Sequence, residues 1–137
     1  MDIKYGYIQG EDKFFYMLNI IDIFDRIIVD YHMGFHCEAK DAAALLKYAL
    51  MKRNLYGKEP VKTPNENAHV ESFHRILEDE CFKVNEFQSY SEAYEIVNNF
   101  IDFYNKRRLH SILKYMAPYE FHQLCSEGKL SNIKIKV

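Results

Sequence analysis

The segment Phe14–Ile21 constrains the fold most, because it is apolar at nearly every position, and a run of this kind reads as a strand covered on both faces. Such a strand needs pairing partners at its edges and helices on its faces. Ile3–Ile8 and Arg26–His32, rich in Ile, Tyr and Val, supply the partners, and the polar stretches Gln9-Gly10-Glu11-Asp12 and Asp22-Ile23-Phe24-Asp25 are the turns between them. The first third is therefore expected to be an antiparallel meander.

The helices come afterwards. From Ala39 to Asn54, Ala42, Leu45, Leu46, Ala49 and Leu50 form one amphipathic stripe, and Gly57 and Pro60 stop it. A second helix is predicted from about Pro64 into the low eighties. Thr63 and Glu66 have the spacing of a capping box, Pro64 fits the first helical position, and Val70, Phe73 and Leu77 form the buried side. Ser89 and Glu92 cap a third helix, whose stripe is Ala93, Ile96, Val97, Phe100, Ile101 and Tyr104. Sheet first and helices after is an α/β (α+β) order, with one domain over 1–125 and a polar tail over 126–137.

Composition narrows the function classes. A chain of 137 residues with 48% hydrophobic and 15% aromatic residues can build one real core. No apolar run reaches membrane-spanning length and the first residues lack a secretory layout, so the expected location is cytoplasmic, with no membrane partner. Cys37, Cys81 and Cys125 are odd in number, widely spaced and never a Cys-x-x-Cys pair, which indicates neither a disulfide framework nor a zinc ribbon. A net charge of -2 does not by itself point to nucleic acid.

Three groups of residues have chemical potential. Glu71, His74 and Glu78 share a face of the second helix roughly opposite Phe73 and Leu77, where a solvated face is the ordinary reading and a metal-ligating carboxylate the functional one. Asp2 opens the first strand. Lys106, Arg107, Arg108 and His110 close the third helix, where cations suit the helix dipole as well as they suit phosphate.

Four stretches in order, Asp2-Ile3-Lys4-Tyr5, Ile21-Asp22-Ile23-Phe24-Asp25-Arg26, Asn67-Ala68-His69-Val70-Glu71-Ser72-Phe73-His74, and Tyr104–Ser111 running on to Pro118-Tyr119-Glu120-Phe121, resemble the catalytic core of bacterial transposases of the insertion-sequence three family, which is similar to retroviral integrases. The resemblance implies a ribonuclease H-like fold, here truncated to a three-stranded antiparallel meander followed by about three helices. It also implies an Asp-Asp-Glu triad holding Mg2+ or Mn2+ for metal-dependent phosphodiester transfer, because a two-metal displacement needs hard carboxylate oxygens. By motif, Asp2 is the first aspartate and Glu71 the glutamate, both catalytic and metal-binding. Lys106, Arg107, Arg108 and His110 would face nucleic acid.

The family's second aspartate lies in a Thr-Asp-Asn-Gly-like segment that is absent between the first helix and Asn67, where the chain has only Tyr56–Glu66. By resemblance the fourth and fifth strands are gone, as are the upstream part of the first strand and the end-recognising helix-turn-helix. The reading is an internally deleted core, inactive in DNA integration and transposition. The alternative is a non-catalytic DNA-binding or oligomerising module that associates with full-length transposase. A third reading keeps the enzyme active, with Asp22 or Glu78 replacing the lost acid, although Asp22 and Asp25 read more simply as turn residues. DNA, as transposon ends and target, is the implied partner, and loss of the fourth strand leaves the first as an open edge suited to self-association.

Overall fold

The structure, a computed structural model, describes residues 2–54 and 66–128. Three strands, β1 (Ile3–Ile8), β2 (Lys13–Ile21) and β3 (Ile28–Gly34), form one antiparallel sheet in the order β1-β2-β3. The apolar run thus takes the central place. Phe15 and Met17 are fully buried on one face of β2 and Leu18 on the other, as strand alternation requires. Gly6, opposite Phe15, leaves space for the Phe15 ring, which a Cβ at that position would meet at 2.0 Å.

Helix α1 (Ala39–Lys52) packs on β3 and β2. Its buried residues Leu45 and Ala49 belong to the predicted stripe. On the Phe15 face lie α2 (Glu66–Leu77), which runs into a π-helical turn over Glu78–Phe82, and α3 (Tyr90–Lys106). Val70, Phe73 and Leu77 are buried as expected, and the Ser89 hydroxyl caps α3 by accepting from the Glu92 N–H. Thr63 and Pro64 of the predicted helix start, and the stretch from Tyr56 up to Glu66, lie outside the described residues. The α+β order of the sequence reading stands, as a shortened ribonuclease H-like arrangement of sheet and helices.

The three helices expected from periodicity are all present, and a short one follows them. A fourth, α4 (Pro118–Ser126), has Pro118 at its start and buries Phe121 with Leu113 in a small second core. It is tied to the sheet by Asp25, which is 1% exposed. That carboxylate accepts hydrogen bonds from Arg53 Nη1 at 2.9 Å and Arg53 Nη2 at 3.2 Å, and lies 2.8 Å from His122 Nδ1 on α4. Asp25 is therefore more than the turn residue its position suggested.

Helix α3 is fixed to β3 by side-chain hydrogen bonds. Asn105 Oδ1 accepts from the Ile28 N–H at 2.8 Å and Asn105 Nδ2 donates to the Ile28 carbonyl at 3.0 Å. Tyr90 donates to the Met33 carbonyl at 2.8 Å, and Tyr31 donates to Asn98 Oδ1 at 2.6 Å. Asn105→Ala is predicted to cost about 2–6 kcal/mol, since it strands a buried N–H and a buried C=O at about 1–3 kcal/mol each. Urea unfolding measures this directly. A loss within about 0.5 kcal/mol, the range of an ordinary surface change, would show the clamp to be dispensable.

Candidate functional site

Antiparallel pairing puts the start of β1 beside the end of β2. Continuing the register Lys4↔Met17 and Ile3↔Leu18 by one residue sets Asp2 across from Asn19, on the face that α2 covers. Asp2 is exposed and its Oδ1 accepts from the Ile3 N–H at 2.9 Å. Asn19, the one polar residue inside the apolar run, is fully buried. Its Oδ1 lies 2.6 Å from His74 Nε2, and its Nδ2 has no partner among the described residues.

The α2 face is therefore mixed, and the solvated-face expectation is corrected for two of its three residues. His74 is 8% exposed and turned to the sheet. Burial lowers its pKa, which the negative charge of Asp2 partly offsets, so the ring is held neutral and can donate to Asn19. Glu78 forms a 2.6 Å ion pair with Lys4 of β1. Glu71, one turn before His74, remains exposed. Asp2 and Lys4 of the β1 end thus act electrostatically on His74 of α2, and Lys4 reaches Glu78 at the start of the π turn, whereas Glu71 is exposed.

The substitute acids are also placed. Asp22 is at the same end of the sheet as Asp2, because β1 and β2 are antiparallel, and its carboxylate accepts from the Phe24 N–H at 2.9 Å while lying 3.8 Å from Arg53 Nε. Among the described residues, no group of three or more His, Cys, Asp or Glu is arranged to hold a metal ion. Integrase cores generally use divalent cations, which require carboxylate oxygens from several directions. Beside Asp2 this chain offers a buried amide donor and a neutral imidazole tied to it, so the donor set does not fit a two-metal centre.

The basic cluster at the end of α3 separates into different roles. Arg108 is spent on structure: its Nε and Nη2 donate to Glu80 of the π turn at 3.0 and 2.8 Å, holding the Glu80 carboxyl below its usual range. Lys106 pairs with Asp102 at 2.7 Å and lies 6.0 Å from the Tyr119 ring. His110 packs edge-on against Tyr104 with centroids 4.8 Å apart, and burial, reinforced by Arg108 and Arg26, pushes its pKa down to about 4. Its buried Nε2 has no partner among the described residues, and the ring lines a cleft of about 170 Å3 with Arg26, His69, Ser72 and Tyr104. Arg107, exposed at the helix end, is the Lys or Arg of the cluster with no ion pair among the described residues.

Sequence reasoning missed Asn19, although an isolated amide in an apolar strand is a visible signal of a buried polar contact. The Arg108–Glu80 pair spans 28 positions and Asp25–His122 spans 97, so no local pattern announces either. Among the described residues, no helix is long and apolar enough to cross a membrane.

Comparison with known proteins adds the relationship. Residues 59–118, which contain Glu71 and the end of α3, match the family model for an integrase core domain. A putative transposase, InsK, for insertion sequence element IS150 of Escherichia coli K12 is 41% identical over 56 residues, covering 41% of this chain and 20% of that protein. The insertion element IS407 uncharacterized 31.7 kDa protein of Burkholderia multivorans is 38% identical over 58 residues, covering 42% of this chain and 21% of that protein. The transposase for insertion sequence element IS904 of Lactococcus lactis subsp. lactis is 34% identical over 61 residues, covering 44% and 24%. No solved structure matches. The chain thus spans 20–24% of the length of the curated relatives it matches. Residues 59–118 thus resemble an integrase core domain, and stretches of 56–61 residues of the chain are similar to insertion-sequence transposases and an insertion-element protein.

Proposed function

We propose that this chain is a transposase catalytic-core derivative that keeps DNA as its partner and does not itself carry out metal-dependent strand transfer. The observation that supports this reading is the Asn19–His74 pair, because the α2 face presents a neutral hydrogen-bonded imidazole to the start of β1. Glu78, the acid that opens the π turn after α2, is paired with Lys4 of β1. The sequence between Asn54 and Glu66 is also too short to supply the segment that carries the family's second aspartate. Asp2 and Glu71 remain the catalytic and metal-ligating positions by resemblance, as two acids where the chemistry calls for three.

Incubating the chain with a transposon-end duplex and Mg2+ or Mn2+ tests the reading. The expected product is none above background, with Glu71→Gln indistinguishable from the parent. Metal-dependent nicking or joining that disappears in Glu71→Gln would overturn it.

A second role, association with another copy or with a full-length transposase, is favoured by β1. It lies at the sheet edge, where the bridge between Ile8 and Phe87 covers its end, and Ile3, Tyr5, Tyr7 and Phe14 are 37%, 57%, 36% and 59% exposed. An open edge with an apolar flank is a template for strand addition. Light scattering at rising concentration should show a dimer that Tyr5→Lys returns to monomer. A parent that stays monomeric throughout, or a dimer indifferent to Tyr5→Lys, removes β1 as the contact.

A further inference from the structure

After α3 the chain makes a short hairpin, closed by the His110↔Met116 bridge, with the His110 N–H donating to the Met116 carbonyl at 3.1 Å. At its tip the Met116 N–H donates to the Leu113 carbonyl at 3.1 Å, and the central residues Lys114 and Tyr115 have φ of 57° and 60°. Positive φ at both central positions defines a type I′ turn, which ordinarily uses Asn-Gly or Asp-Gly, and a bulky residue there is an outlier. The base of the hairpin is well held, since Leu113 is buried against Phe121 and Met116 packs beside them. The tip is not packed at all. Tyr115 is 72% exposed and has no ring partner among the described residues, and Lys114 is exposed with no ion pair among them.

The core therefore does not explain why Lys and Tyr occupy a turn that Asn-Gly would make with less strain. An unpaired cation next to an unpacked aromatic ring is the chemistry of single-strand recognition, the ring stacking on a base and the cation meeting a phosphate. Arg107, exposed and unpaired at the end of α3, is a second cation leading into the same hairpin. Arg108 and Lys106 are committed to Glu80 and Asp102, so Arg107 is the cation of the cluster left for a ligand among the described residues.

We propose that the Lys114–Tyr115 turn, with Arg107, is a contact for unpaired bases of a DNA strand. The inference rests on the DNA reading above. The test is fluorescence anisotropy with a labelled single-stranded oligonucleotide and a matched duplex, together with thermal melting. The double variant Lys114→Asn, Tyr115→Gly has the residues the turn prefers, so it should melt at a higher temperature yet bind the single strand about tenfold more weakly, with most of that loss in the stacking contact. Tyr115→Trp should retain binding, and Arg107→Gln should reduce the slope of log affinity against log salt by about 0.7. Unchanged single-strand binding in the double variant overturns the tip contact and leaves the DNA reading intact. A double variant that melts lower shows Lys114 and Tyr115 to be structural and overturns it too. If the parent chain binds neither oligonucleotide, both the tip contact and the DNA reading fall.

Discussion

The hydrogen bonds between Asn105 and the backbone of Ile28 are where the helical layer is registered on the sheet. Ile28 begins an edge strand beside an irregularity in the β2–β3 ladder at Ile20/Ile21, so the strand's own pairing is weakest there. A buried amide that satisfies both polar groups of one residue fixes the sheet against α3 in direction as well as distance. Tyr104, the preceding residue, stacks edge-on against Phe73 at 5.0 Å and thereby seats α2. With α2 seated, His74 reaches Asn19 and Glu78 reaches Lys4. The candidate site is thus built beside the clamp, since Ile28 pairs with Ile21, two residues from Asn19, and Tyr104 packs on Phe73, the neighbour of His74.

The same dependence explains what became of the motif residues. Tyr104, Asn105, Arg108 and His110 sit together in the sequence as a basic and aromatic tract, and the structure distributes them inward: Tyr104 and His110 against each other, Asn105 to β3 and Arg108 to the π turn. Arg107 is left facing outward. A tract that looks like a phosphate-binding patch is in large part the joint between α3, the π turn and the hairpin. Cations of this kind lose phosphate-binding value once a carboxylate already accepts from them in bidentate geometry.

Much of the fold was legible because it rests on local periodicity. The apolar run Phe14–Ile21 located the central strand, and the stripes of Leu45 and Ala49 and of Ala93, Val97 and Ile101 located two helices and their buried faces. Helix α4 escaped because its apolar stripe is carried by Pro118, Phe121 and Leu124 over barely more than two turns, too few to stand out. The π turn escaped because Glu78-Asp79-Glu80 reads as ordinary polar helix, and the Lys83 N–H donates to the Glu78 carbonyl only in the folded geometry. At the candidate site, Asp2 and Glu71 are named through resemblance alone. What lies between them was not legible, since Asn19 and His74 are 55 residues apart and meet only when α2 crosses the end of β2.

The central claim is that the Asn19–His74 pair closes the face beside Asp2, leaving two acids without a third. Paramagnetic line broadening by Mn2+ in a 15N-labelled sample tests it most directly, because broadening maps a bound cation onto individual amides. The account predicts weak, scattered effects at surface carboxylates, with the amides around Asp2 and Glu71 no more affected than those around Glu95 or Glu120. Selective broadening centred on Asp2 and Glu71 at low Mn2+, abolished in Glu71→Gln, would contradict it and return the chain to the metal-dependent enzymes.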